Sequence, residues 1–329
     1  MSNKRIYLCL AHMSGNEQKY IQEAFDTNWV VPLGPNVNGF EEDLKQFVDG
    51  KNEVVALSAG TAAVHLALIS CGVQAGDEVL VQSFTFCASS HPIKYLGATP
   101  VFVDSETDTW NMDPELLEKA ILDRIEKTGK KPKAIVPVYL YGMPAKLDEI
   151  MAISEKYGIP VIEDAAEGFG SKYKGRTCGT FGKYGVLSFN GNKMITTSGG
   201  GALICPDAEA KKEIMFYATQ AREAYPYYQH EHIGYNYRMS NICAGIGRGQ
   251  MTVAQEHVDH HKHVQALYEE LLKDVKGIHL HCQPATGEFD SNYWLCAATI
   301  DEDIVVKGQE RAYAESITGA VGGAAGVTH

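Results

Sequence analysis

Lys193 stands in the run SFNGNK (188–193), with ITTSGGG (195–201) after it and IEDAAEGFG (162–170) upstream. A lysine amine attacks an aldehyde only when neutral, so Schiff-base chemistry needs a site that draws the proton off, by burial or a nearby cation. Asn190, Gly191 and Asn192 are small or hydrogen-bonding and would let a flat ring approach the backbone. Taken alone, the segment suits a solvated surface lysine equally well, and that is where most lysines lie.

Asp164 changes the balance. A carboxylate against a pyridine nitrogen keeps that nitrogen protonated, which is what pyridoxal phosphate requires to act as an electron sink. Asp164 ends an apolar, strand-like run, where a helix cap is the plain alternative for an aspartate. Glu167 could hydrogen-bond the phenolic oxygen of such a ring, or stand as a solvated loop charge. The phosphate would need donors, and GTAAVHLAL (60–68) opens a helix at Gly60 and Thr61, where free N–H groups and the helix dipole favour an anion. Many helices begin in this way. Ser188 could add a hydroxyl, and Phe86 in QSFTFCASS (82–90) could stack on the ring or serve as core.

The elements that must position these residues alternate from about residue 50. EVVALS (53–58), EVLVQ (78–82), TPVFVD (99–104), AIVPVYLYG (134–142) and PVIEDAA (160–166) read as strands. Between them, TAAVHLALISCG (61–72), SSHPIKYLG (89–97), DPELLEKAILDRIEK (113–127) and KLDEIMAISEKYG (146–158) read as helices, the third with Asp113 as N-cap and Pro114 at its first position. Near-continuous apolar strands in β–α repeats predict an α/β fold, a mostly parallel sheet with helices on both faces. Ligands collect beyond the carboxyl ends of such strands, where Asp164 falls. Further on, helices are expected over 207–225 and 241–274, an aromatic loop over 225–232, and the start of a smaller α+β domain over 277–301. The domain expectation is a large body with an N-terminal arm over 1–245 and an unfinished small domain over 246–329.

In chain order the candidates are phosphate donor, stacking ring, carboxylate, hydroxyl and lysine. Together with HMSGNE (12–17), VVPLGPNVNGFE (30–41), SFTFCAS, IEDAAE, TFGKYGVLSFNGNKMITTSGGG and GYNYRMSN (234–241), they resemble the DegT/DnrJ/StrS sugar aminotransferases over about residues 6–300. These are fold-type I pyridoxal phosphate enzymes, and the resemblance is nearest to the branch making UDP-4-amino-4,6-dideoxy-N-acetylglucosamine. It implies that Lys193 binds the cofactor as a Schiff base and shuttles protons. It further implies that Asp164 pairs with the ring nitrogen, Glu167 contacts the ring oxygen and Phe86 stacks. Gly60, Thr61 and Ser188 would hold the phosphate, completed by Asn236 of a second subunit in a homodimer, with Arg238 nearby. The plain reading of that last segment is a helix lead-in with Arg238 in a surface ion pair. A related sugar dehydratase carries histidine at the lysine position, so Lys193 implies transamination. The implied reaction takes the amine of L-glutamate to C4 of a nucleotide-linked 4-keto-6-deoxy sugar of the UDP-2-acetamido-2,6-dideoxy-4-ketohexose class. GPNVNGFE (34–41) and the aromatic loop are expected near that sugar nucleotide.

Family members continue beyond the end of this chain, and ITGAVGGAAGVTH (317–329) has no terminating element, so a shortened C-terminus is expected. That keeps a second reading open, a catalytically impaired protein that binds the cofactor or a nucleotide. A nucleotide-binding oxidoreductase would also suit the β–α repeat, but no GxGxxG follows the first strand. His257 and His261 in HVDHHKHV (257–264) lie one helical turn apart, yet no HExxH and no third ligand accompany them, so a solvated helix face and no metal are expected.

Composition narrows the partners. With 29 basic and 41 acidic residues, a net −12, the chain has no broad field for a nucleic-acid backbone. No apolar run approaches the roughly 20 residues of a membrane span. The first residues, MSNKRIYLCLAHMSG, hold too short an apolar stretch for a signal peptide. Eight cysteines without a CxxC pair read as reduced thiols of a cytoplasmic protein.

Overall fold

The computed structural model describes residues 8–301. The expected unfinished end at 317–329 and the first residues of the expected signal-free N-terminus lie outside them. Two helices precede the sheet, α1 (Glu17–Asp26) and α2 (Pro35–Val48), the latter with proline at its start. The alternating stretch then delivers β1 (Glu53–Leu57), α3 (Gly60–Ser70), β2 (Glu78–Gln82), α4 (His91–Tyr95) and β3 (Thr99–Val103). It continues with α5 (Pro114–Thr128), β4 (Ala134–Val136), α6 (Leu147–Tyr157) and β5 (Ile162–Asp164). A short hairpin, β6 (Lys172–Tyr173) and β7 (Arg176–Thr177), leads to β8 (Tyr184–Ser188), β9 (Gly201–Cys205) and α7 (Ala208–Ala218). The remainder forms α8 (Asn241–Met251), α9 (Ala254–Leu272), β10 (Ile278–Leu280), β11 (Phe289–Asp290) and β12 (Ala298–Ile300).

β3, β2 and β4 pair in parallel, as do β5 and β8. Parallel bridges Ile135–Val161 and Val138–Asp164 join the β4 edge to β5. β9 runs antiparallel to both β8 and β1, so in the order β3-β2-β4-β5-β8-β9-β1 β9 alone is reversed. The expected mostly parallel sheet is therefore present. Its strands feed two cores by the period of two that a pleated strand imposes. Val54, Ala56, Leu80, Ile135, Leu187, Ala202 and Ile204 pack on one face, with Phe40 and Leu44 of α2, Leu117 and Ile121 of α5, and Leu147 and Ile150 of α6. Val55, Leu57, Val79, Val81, Val136, Val186 and Leu203 point the other way, onto Ala63–Leu68 of α3 and Ile214 and Ala218 of α7. Each fully buried leucine or phenylalanine contributes about 1.5–3 kcal/mol relative to exposure.

Several boundaries differ from the sequence expectations. The strand read over 134–142 stops at Val136, because Pro137 follows and the chain enters a 3₁₀ turn, Leu140–Gly142, with Tyr141 at φ 56°. The helix expected over 207–225 ends at Ala218, beyond which Gln220 and Ala221 adopt φ 68° and 50°. The helix expected over 241–274 is two helices, broken where Thr252 and Val253 donate to Gly249 and Gln250 in tight turns. The domain boundary expected at 245/246 falls inside unbroken α8, whose Gly247 and Gly249 seat against Phe40 and Glu17. Beyond α9, β10 pairs with β12, while β11 returns to pair with β6. Among the described residues no helix is long and apolar enough to cross a membrane.

Arg238 departs from the plain reading of its segment. It is buried rather than in a surface ion pair: its guanidinium bonds Glu41 and donates to the Ala56 carbonyl at 2.8 Å, and Glu41 also accepts from Ala56 N. Arg238→Ala would leave the Glu41 carboxylate buried with Lys211, at 3.7 Å, as its one remaining cation among the described residues. The expected loss is about 3 kcal/mol of stability, read as a fall in the urea midpoint. Lys119→Ala, which removes an exposed pair with Glu115, should leave that midpoint unchanged.

Candidate active site

Because β9 is reversed, one rim of the sheet carries the carboxyl ends of β1, β5 and β8 and the start of β9. The candidates on those strands converge there. Asp164 ends β5, Ser188 ends β8, α3 starts at Gly60 just after β1, and Lys193 lies in the β8–β9 connection. Gly201 shows how tightly these meet: a Cβ there would lie 2.4 Å from Gly60 N. The lysine loop is closed on itself by Lys193 N to Asn190 O at 2.9 Å, Thr197 N to Phe189 O at 2.9 Å and Phe189 N to Gly200 O at 2.9 Å.

Lys193 Nζ sits 3.2 Å from Glu167 Oε1, with the two side chains only 13% and 11% exposed. The other Glu167 oxygen accepts from Tyr141 N at 2.8 Å. Burial pushes the Glu167 carboxyl up from its ordinary range, and the Lys193 charge opposes this. Asp164 is buried, accepting from Ser89 Oγ at 2.6 Å and Ala166 N at 3.2 Å. Burial raises its carboxyl too, against those two hydrogen bonds. Neither carboxylate is the solvated charge or simple cap that the plain readings offered.

At the start of α3 the first intrahelical bond is Ala63 N to Ala59 O at 3.2 Å. The N–H groups of Gly60, Thr61 and Ala62 precede it and have no acceptor in the helix, and Ala59 supplies no side-chain cap. Ser188 lies against this end, its Cβ 3.1 Å from where a Cβ on Gly60 would be. Phe86 is 70% exposed, so it is not core; it precedes the 3₁₀ turn Cys87–Ser89 that aims Ser89 at Asp164. Asn236 is exposed and meets Gln220 at 3.4 Å rather than any other candidate; its neighbour Tyr237 accepts from Ser58 N at 2.8 Å, beside the α3 start.

His257 and His261 are not a solvated face. His257 Nδ1 lies 3.2 Å from the Met194 carbonyl, its Nε2 3.2 Å from His12, and His261 Nδ1 3.2 Å from the Tyr293 carbonyl. They brace backbone of the lysine loop at Met194 and of the segment before Trp294 at Tyr293. No group of three or more potential ligands gathers for a metal among the described residues. Sequence reasoning missed Ser89, Tyr141 and Trp294, the last with its indole 4.1 Å from Lys193 Nζ. Ser89 and Tyr141 sit in quoted runs without a distinguishing pattern, and Trp294 comes from a segment 101 positions downstream of Lys193, beyond any local motif.

A phosphorylated pyridine aldehyde has three needs: an amine to bind, a carboxylate at its nitrogen and an anion site. The residues present fit it on each count, since among the described residues no cation pairs with Asp164, and the uncapped α3 start faces Ser188. Fold and site together define a fold-type I, pyridoxal phosphate-dependent aminotransferase. Residues 11–318 match the DegT/DnrJ/EryC1/StrS aminotransferase family, and the chain belongs to it. EpsN of Bacillus subtilis (strain 168), which carries the name of a pyridoxal phosphate-dependent aminotransferase, is 50% identical over 92% of this chain and 77% of its own. The GDP-perosamine synthase of Escherichia coli O157:H7 is 38% identical over 86% of this chain and 74% of its own. A DegT/DnrJ/EryC1/StrS aminotransferase of Brucella abortus superposes with a TM-score of 0.83 at 32% identity, covering 91% of this chain and 79% of that one. The chain is thus a pyridoxal phosphate-dependent sugar aminotransferase.

The raised Asp164 carboxyl carries a stability consequence. A group whose folded pKa is raised favours the fold while protonated, and that contribution is lost as pH rises through the folded value. Asp164→Asn should therefore raise the melting temperature of the cofactor-free protein at pH 8 by about 2 °C, with the gain shrinking toward acid pH. The same variant should bind pyridoxal phosphate more weakly; thermal melts across pH check the first sign and a cofactor titration the second.

Proposed function

We propose that this enzyme transfers the amino group of L-glutamate to C4 of a nucleotide-linked 4-keto-6-deoxy sugar, of the UDP-2-acetamido-2,6-dideoxy-4-ketohexose class. The observation that carries transamination is the Lys193 amine held 3.2 Å from Glu167 on the rim that also bears Asp164. Bound pyridoxal phosphate supplies the electron sink that acidifies the carbon bearing the migrating amine. Asp164 keeps a proton on the ring nitrogen, and Phe86 covers a ring face. Gly60 and Thr61 N–H groups and the Ser188 hydroxyl hold the phosphate. Lys193 Nζ would carry the proton from Cα of glutamate to the cofactor's aldehyde carbon, and in the second half-reaction from that carbon to C4 of the sugar. Glu167 contacts the ring oxygen and keeps the lysine amine in place.

Asn236 is exposed, on a segment that runs beside the α3 start, and we assign it to the phosphate site of a second copy in a homodimer. The substrate class rests on the runs VVPLGPNVNGFE and GYNYRMSN, and the UDP moiety is the part most in need of test, because one relative is named for a GDP-linked product.

Purified protein with pyridoxal phosphate should lose its visible band on adding L-glutamate, forming 2-oxoglutarate, and then aminate a UDP-linked 4-keto sugar faster than a GDP-linked one. Amination of the GDP-linked sugar alone would overturn the substrate class. Mixing inactive Lys193→Ala with Asn236→Asp protein should restore roughly a quarter of wild-type activity by random exchange of subunits in a two-fold dimer. A mixture no more active than its parts would show that the sites are not shared.

A further inference from the structure

We propose that Trp294 is a positioning residue for the Lys193 amine, an inference that rests on Lys193 being the cofactor-bearing lysine. The indole face lies 4.1 Å from Lys193 Nζ, and the indole Nε1 donates to the Asn192 carbonyl at 2.8 Å. One side chain therefore grips both ends of the lysine: the peptide just before it and the amine at its tip. A lysine stem has four rotatable carbons, and fixing both ends removes the freedom that would let the amine wander from its reacting atom.

Trp294 can do this because it is itself fixed. It is 6% exposed, and its N–H donates to Asn292 Oδ1 at 2.8 Å. Asn292, fully buried, donates from Nδ2 to the Glu167 and Phe169 carbonyls at 2.8 Å each. Gly142 makes room for it, since a Cβ there would lie 1.8 Å from Asn292 Oδ1. Tyr293, between them, takes a left-handed φ of 48°, which turns the indole toward the lysine loop. The same short segment thus holds the backbone that carries Glu167 and the loop that carries Lys193, and so sets the separation of the two. An ammonium is also favoured over an indole face, so Trp294 supports the state in which Lys193 Nζ carries a proton between the two carbons. The proton taken from one carbon is delivered to the other, and nothing else is consumed.

The test compares Trp294→Ala, Trp294→Leu and Trp294→Phe in the whole chain. With cofactor loaded, Trp294→Ala should lower kcat by about tenfold while the KM for glutamate stays within about twofold, and Trp294→Phe should recover most of the loss. In the cofactor-free protein, reductive methylation of Lys193, followed by peptide mass spectrometry with exposed Lys183 as internal reference, should run several-fold faster in Trp294→Ala. If that variant is too unstable, Trp294→Leu refills part of the volume without a π face and should show the same two changes. Wild-type kcat and wild-type Lys193 labelling in a folded Ala or Leu variant would overturn the proposal. A wild-type protein whose cofactor never reaches Lys193 would instead refute the reading beneath it.

Discussion

The contact between Lys193 and Glu167 sets the terms for everything around it. Two opposite charges, each largely withdrawn from water, gain from each other only if their remaining hydrogen-bonding capacity is met and their geometry is held. The chain meets the condition with backbone: Tyr141 N caps the second Glu167 oxygen, and the Asn190 turn closes behind the lysine. Asp164 adds a further buried carboxylate on the same rim, so the site carries more acid than base. That imbalance leaves room for a bound group that brings its own positive charge at a ring nitrogen. The cofactor-free protein bears the cost as two raised carboxyl groups.

The rest of the architecture delivers these residues to one place. Reversing β9 brings its first residue beside β1 and β8, which closes Gly201 onto the uncapped start of α3. The meeting of the uncapped α3 start with the lysine loop is therefore a consequence of one antiparallel strand in an otherwise parallel sheet. The part of the chain beyond α9 is tied into the same rim: β11 pairs with β6, and the segment around Asn292 holds the Glu167 carbonyl. The candidate site is thus braced by residues distant in sequence.

What the sequence disclosed follows from how local each signal was. The alternation of apolar runs showed the parallel sheet, and the cap at Asp113 with Pro114 behind it marked α5, because both are set by residues adjacent in the chain. Lys193, Asp164 and Glu167 were legible as a spaced set, and the structure places them together. The plain reading made Arg238 a surface cation because nothing nearby in sequence announces Glu41, its buried partner. His257 and His261 looked solvated because their acceptors, the Met194 and Tyr293 carbonyls, are backbone atoms far along the chain. Pro137 could have ended the predicted strand earlier, had its missing N–H been weighed against the apolar run.

The central claim is that Lys193 carries the cofactor. Reducing the pyridoxal phosphate-loaded protein with borohydride, digesting it and mapping the modified peptide by mass spectrometry tests this most directly. The account predicts a phosphopyridoxyl group on Lys193 and on no other lysine at stoichiometric yield. Stoichiometric modification of a different lysine, with Lys193 unmodified, would contradict it.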